Sequence, residues 1–191
     1  MGVKPENTPS WQRLRESLSA GSFRRYRKGD PLTFRLFVFD LDETLWCTDQ
    51  VGVDPFEGPF ELEGPHVARS AKSTVQLRPG IRKLLRAIHR SGGFASLVCR
   101  SQEKTCNEVL EIFGIRDRFF YPRYGLQEKG EAILEILAEI RQRLGVVITP
   151  KEVLLVDDAA ANVVEAKRVG ARALLYGRDI RNLSELQKWV T

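Results

Sequence analysis

The 191-residue sequence predicts a three-layer α/β/α domain built around a parallel sheet. Two observations carry that expectation. From Leu32 onward, short apolar runs alternate with segments whose apolar residues recur at helical spacing. The runs also end in polar clusters, as parallel strands do when their carboxyl ends line a ligand site. A hydrophobic content of 42% and a charged content of 29% are ordinary for a globular domain. The length suits one domain with room for an appended arm.

The elements follow in order. Leu36–Phe39 reads as a buried strand from its aromatic and β-branched content. Pro79 opens a helix in which Ile81, Leu84, Leu85 and Ile88 share one face, and Gly92 and Gly93 end it. Phe94–Cys99 is the next strand. Gln102–Phe113 is helical, with Cys106, Val109, Leu110 and Phe113 turned inward and Gly114 closing it. Phe119–Tyr121 is expected as a short strand stopped by Pro122. Glu128–Leu144 is a long helix with Ile133, Ile136, Leu137, Ile140 and Leu144 on one stripe. Val153–Val156 and Arg172–Tyr176 read as strands, Ala159–Val169 and Ser184–Val190 as helices.

The net charge of +5 is unevenly placed. Residues 1–30 hold seven basic residues, Lys4, Arg13, Arg15, Arg24, Arg25, Arg27 and Lys28, against the acids Glu6, Glu16 and Asp30. The basic balance therefore describes an N-terminal extension over residues 1–31 rather than the body over 32–191. The simplest reading of the extension is a solvated helix around Trp11–Ser19 that packs Trp11, Leu14 and Leu18 on the domain. An arm of this charge could also approach nucleic acid or an acidic partner. No run of about 18 apolar residues is present, so no membrane span is expected. MGVKPENTPSWQ lacks an apolar signal core, and three cysteines form no complete disulfide framework. A cytoplasmic location is expected. Cys47 and Cys106 read as packing residues, His66 and His89 as surface residues, and no zinc spacing is present.

Four polar clusters converge on one sheet edge. Asp40 and Asp42 follow the first strand, and Cys99, Arg100 and Ser101 the second. Lys129 opens the long helix, and Asp157 and Asp158 follow a later strand. Four carboxylates and one ammonium around one opening repel unless a hard cation such as Mg²⁺ joins them, sharing its shell with water and a substrate phosphate. One aspartate can then attack phosphorus, while a second, two residues on, protonates the leaving oxygen and later takes a proton from water. Leu41 turns away, which lets Asp40 and Asp42 both face the opening.

FDLDETL, then Cys99-Arg100-Ser101 beginning 59 residues after Asp40, then Lys129, then VDD at 156–158, resembles the haloacid dehalogenase (HAD) superfamily. The resemblance runs from Leu32 to the C-terminus and implies a Rossmann-like fold. DLDETLW with VDPFEGPF, and the VDDxxxN pattern of Asp157, Asp158 and Asn162, look like the magnesium-dependent phosphatase (acid phosphatase) family. The resemblance implies Asp40 as nucleophile and Asp42 as general acid/base, with Thr44 steadying the loop. It implies Mg²⁺ held by Asp40, the Asp42 carbonyl and Asp158, with Asp157 beside it or sharing the role. Lys129 would pair with the nucleophile and phosphoryl oxygens, and Arg100 could add a bidentate phosphate contact. The family usually has Ser or Thr at the end of strand two. Cys99 aligns there, and Ser101 substitutes if the loop is shifted by two.

The gap Trp46–Arg78 spans 33 residues, which suits a flap or hairpin rather than a folded lid. The expected site is therefore capless and open, suited to a phosphoprotein or other large or unselective ester. Two alternatives stand beside it: a nucleic-acid-end phosphatase guided by the basic arm, and a degenerate relative that binds phosphate without turnover. Trp46 either floors the opening or packs beneath the flap.

Overall fold

Strand β1 (Leu36–Phe39) lies at the centre of a five-stranded parallel sheet of order β7-β6-β1-β8-β9. Its neighbours are β6 (Phe94–Cys99) and β8 (Val153–Asp157), with β7 (Arg123–Tyr124) and β9 (Arg172–Leu175) at the edges. All four pairings are parallel. The computed structural model describes residues 34–49 and 57–190. The basic extension and the helix expected around Trp11–Ser19 lie outside the described residues.

Among the described residues four helices cover the sheet: α1 (Ile81–Arg90), α2 (Glu103–Ile112), α3 (Lys129–Leu144) and α4 (Ala160–Arg168). Strand alternation divides the core in two. Phe37, Phe39, Ala95, Leu97, Leu154 and Val156 face one layer with the inner faces of α1 and α2. Leu36, Val38, Phe94, Val98, Val153 and Leu155 face the other with those of α3 and α4. Full burial of side chains such as Phe37 and Phe39 stabilises by about 1.5–3 kcal/mol each, so this strand is held firmly. The chain runs from β1 outward to β6 and β7, then returns to the other side of β1 for β8 and β9. The strand order reverses at β1, where ligands of such sheets bind.

A second, antiparallel sheet of order β2-β5-β4-β3 occupies the stretch read as a flap. Its strands are β2 (Trp46–Thr48), β3 (Glu61–Leu62), β4 (Val67–Arg69) and β5 (Thr74–Leu77). Trp46, Phe60, Ala68, Val75 and Leu77 join the core on the α1 and α2 side. Among the described residues no helix is long and apolar enough to cross a membrane.

Three expectations change. The short strand is Arg123–Tyr124, after Pro122, not Phe119–Tyr121. Phe119 and Phe120 are buried on opposite sides of the sheet, which produces the apolar signal. The Phe120 N–H donates to the Ala95 carbonyl at 2.8 Å, and Tyr121, at φ 48°, then turns the chain before the strand begins. The C-terminal segment is a 3₁₀ helix over Leu183–Trp189, because its buried anchors Leu183 and Leu186 are three residues apart, the period of that helix. His89 is half-buried rather than a surface residue: its ring meets Phe120 edge-on at 6.0 Å and Nε2 lies 3.0 Å from the Arg118 carbonyl. His66 is exposed and Cys106 buried, as expected.

Candidate active site

Side-chain parity and strand register build the centre of the site. Phe39 is paired with Val156, and the Asp40 N–H donates to the Val156 carbonyl at 3.0 Å. One residue past these partners, Asp40 and Asp157 point to the α3 side of the sheet. Lys129, the first residue of α3, fills the space between them. It is 1% exposed. Its ammonium donates to Asp40 Oδ1 at 2.5 Å and to the Val98 carbonyl, and lies 3.2 Å from Asp157 Oδ2.

Two residues that the sequence did not single out hold Lys129 in place. Glu165 of α4 accepts the Lys129 backbone N–H at 2.8 Å, a remote cap on a helix that has no side-chain cap of its own. Gly130 brings α3 against α4: a Cβ there would meet the Glu165 carbonyl at 2.9 Å and Val169 Cγ1 at 3.0 Å. Neither forms a local motif, because each acts only through the packing of two helices distant in sequence.

Charge and burial compete here. Burial is the largest influence on Asp40 and pushes its carboxyl up to about 7; Lys129 pulls it down, while Asp157 and Asp42 add to the rise. Burial alone would lower the Lys129 ammonium, but Asp40 and Asp157 outweigh it and hold it above its ordinary range, hence charged. Asp158 is also raised, first by desolvation and then by the charge of Asp157. The centre therefore holds more carboxylate than its one buried ammonium neutralises.

Asp157 and Asp158 separate in role. Asp157 is fully buried, and its Oδ1 accepts the Ala159 N–H and the Asn162 amide, both at 2.9 Å. Its Oδ2 has the Lys129 charge nearby but no hydrogen bond of good geometry. Asp158 is exposed, with Oδ1 accepting the hydroxyl of buried Thr44 at 3.3 Å. Arg100 is exposed and donates to Asn162 at 3.2 Å, which links it to Asp157.

Asp42 lies past the turn in which the Leu41 carbonyl accepts the N–H groups of Thr44, Leu45 and Trp46. Glu43 occupies the left-handed region of that turn at φ 55°. The Asp42 carboxylate accepts Ser101 Oγ–H on Oδ2 at 2.5 Å and Trp46 Nε1–H on Oδ1 at 2.8 Å.

Of the residues predicted for the site, Cys99 alone is directed elsewhere. It is 1% exposed, and its thiol lies 3.7 Å from that of Cys106 in the core under α2. Parity explains this: Val98 faces Lys129, so Cys99 faces the opposite layer. The hydroxyl beside Asp42 is that of Ser101, two residues on. Trp46 is fully buried and hydrogen-bonded to a site carboxylate.

The donors around the opening are oxygens only. Among the described residues no three His, Cys, Asp or Glu side chains stand close enough to enclose a metal ion. A hard cation such as Mg²⁺ takes few protein ligands and completes its shell with water and substrate oxygens. The unneutralised carboxylates fit such an ion in kind.

No curated protein matches the chain significantly. Among solved structures it is similar to a HAD-superfamily hydrolase from Ehrlichia chaffeensis, with a TM-score of 0.62 at 14% identity over 84% of this chain and 98% of that one. An uncharacterized protein from Listeria monocytogenes serotype 4b gives a TM-score of 0.58 at 15% identity over 81% and 96%. A HAD phosphatase from Thermococcus onnurineus gives 0.50 at 25% identity over 60% and 58%. The first two likenesses establish the fold. The family model for haloacid dehalogenase-like hydrolases matches residues 49–170, more than half of the sequence, and begins after Asp40 and Asp42, so it supports the family independently of that pair. On that match the chain belongs to the haloacid dehalogenase-like hydrolases.

Proposed function

We propose that the protein is a Mg²⁺-dependent phosphomonoester hydrolase that works through an aspartyl-phosphate on Asp40. The observation that carries this reading is the buried Asp40–Lys129–Asp157 cluster at the end of the central strand, with a second carboxylate, Asp42, two residues on. Asp40, the Asp42 backbone carbonyl and Asp158 would hold the cation, since Asp157 is occupied by Ala159, Asn162 and Lys129. The ion supplies positive charge to the phosphoryl oxygens and favours the ionised form of Asp40.

In the first step an Asp40 carboxylate oxygen attacks phosphorus. The bond from phosphorus to the ester oxygen breaks, and that oxygen takes a proton from Asp42. In the second step the Asp42 carboxylate removes a proton from water as the water attacks phosphorus. The phosphorus–Asp40 bond breaks, releasing inorganic phosphate. Lys129 holds Asp40 toward the opening and balances charge through both steps. Arg100, Ser101 and the backbone of the β6 loop are the phosphate contacts of this reading.

Such a site, bordered by a flap of two- to four-residue strands, favours a phosphate carried on a large partner, such as a phosphoprotein side chain. The test is hydrolysis of p-nitrophenyl phosphate with and without Mg²⁺, followed by a panel of phosphopeptides and end-phosphorylated oligonucleotides. The proposal expects turnover only with the cation and the higher kcat/KM on phosphopeptides. Preference for oligonucleotides would favour the nucleic-acid-end reading, and phosphate binding without turnover the degenerate one.

A further inference from the structure

We propose that Trp46 is a positioning residue for Asp42. Its indole N–H holds the carboxylate in the orientation from which Asp42 passes a proton to the leaving-group oxygen. The inference rests on the phosphatase reading above and adds a residue to it.

The geometry is specific. Trp46 Nε1–H donates to Asp42 Oδ1 at 2.8 Å, and Ser101 Oγ–H donates to Oδ2 at 2.5 Å. A carboxylate gripped on both oxygens from different directions has its plane fixed. Asp42 sits beyond the strand, on a turn, and is only half-buried. Without those two donors its side chain would choose among rotamers.

The two donors differ in rigidity. Ser101 lies in the loop after β6 and its hydroxyl rotates. Trp46 is fully buried, begins β2 opposite Leu77, and its own N–H donates to the Leu41 carbonyl at 3.2 Å. The turn that places the indole is thus the turn that carries Asp42, and the two move as one unit. A buried indole N–H needs some acceptor, and a backbone carbonyl would satisfy it equally well. Here the acceptor is Asp42, a site carboxylate that Lys129 does not reach and that two neutral donors hold instead.

The test separates the N–H from the packing. Trp46 is replaced by benzothienylalanine, whose sulfur stands where the N–H was at nearly the same shape, and in parallel by Trp46→Phe. Each protein is assayed with Mg²⁺ on p-nitrophenyl phosphate, whose leaving group departs without a proton, and on 2-phenylethyl phosphate, whose leaving group needs one. The parameter is kcat/KM, which reads the transfer to Asp40 before the hydrolytic step the two esters share.

The expected result is a fall of about ten- to a hundredfold on the alkyl ester, with a change under about threefold on the aryl ester. Equal losses on both esters, or no loss on the alkyl ester with benzothienylalanine, would overturn the inference and leave the phosphatase reading standing. A wild-type protein inactive on both esters overturns the phosphatase reading and the inference with it.

Discussion

Lys129 is the residue on which the most site contacts depend. Its ammonium stands between Asp40, Asp157 and the Val98 carbonyl, with almost no exposure. Removing one partner of a buried ion pair leaves an uncompensated charge, which costs about 3–5 kcal/mol. Lys129→Met should therefore lower stability in denaturant titration by that order and reduce turnover by more than the destabilisation explains. An unchanged midpoint would mean that the two aspartates do not need the ammonium. Much of this was legible in the sequence. DxD after an apolar strand carries the orientation of Asp40, because parity extends one residue past β1, whereas Asp42 is oriented by the turn and by its two donors. The choice between Cys99 and Ser101 was not legible, since it turned on the path of the loop leaving β6. Glu165 gave no signal, because a glutamate on a helix is ordinarily solvated and only the approach of α4 to α3 makes it a cap.

At the scale of elements, α3 must reach the sheet edge at an exact height, and Gly130 permits it. Alanine in place of glycine normally helps a helix by about 1 kcal/mol. Here the added Cβ would sit 2.9 Å from a backbone oxygen that cannot rotate away. Overpacking of that kind costs about 1–3 kcal/mol, so the clash should win. Gly130→Ala is expected to lower the melting temperature and turnover together, because any shift of α3 carries Lys129 with it. A raised melting temperature would show that propensity dominates and that α3 has slack. The helix and strand pattern itself was readable from periodicity, and Phe94–Cys99 matches residue for residue. The misplaced β7 shows the limit of that reading. Phe119 and Phe120 are apolar because they plug two cores; Phe120 makes a backbone hydrogen bond to β6, and the turn at Tyr121 separates it from the paired strand.

At the scale of the whole molecule, acid stability depends on a residue far from the chemistry. Burial against Phe120 holds His89 below its ordinary value of 6.5; the Arg118 carbonyl opposes that shift and the Arg118 charge reinforces it. The unfolded chain therefore binds a proton more readily than the folded one. His89 leaves stability intact above about pH 6.5 and removes it as pH falls toward the folded value. His89→Phe should lose less stability than wild type between about pH 7.5 and pH 5. Reading the difference between the two proteins cancels the opposite contribution of the raised Asp40, common to both. A parallel loss in both would remove His89 from the account.

The central claim is the covalent role of Asp40, and it has a direct readout. The protein is mixed with p-nitrophenyl phosphate and Mg²⁺, quenched in acid during turnover and treated with borohydride, which reduces an aspartyl-phosphate to homoserine. Peptide mass mapping then locates the change. The account predicts homoserine at position 40 in the wild-type protein, and neither modification nor turnover in Asp40→Asn. Steady turnover with residue 40 unmodified, or an Asp40→Asn protein of full activity, would contradict it.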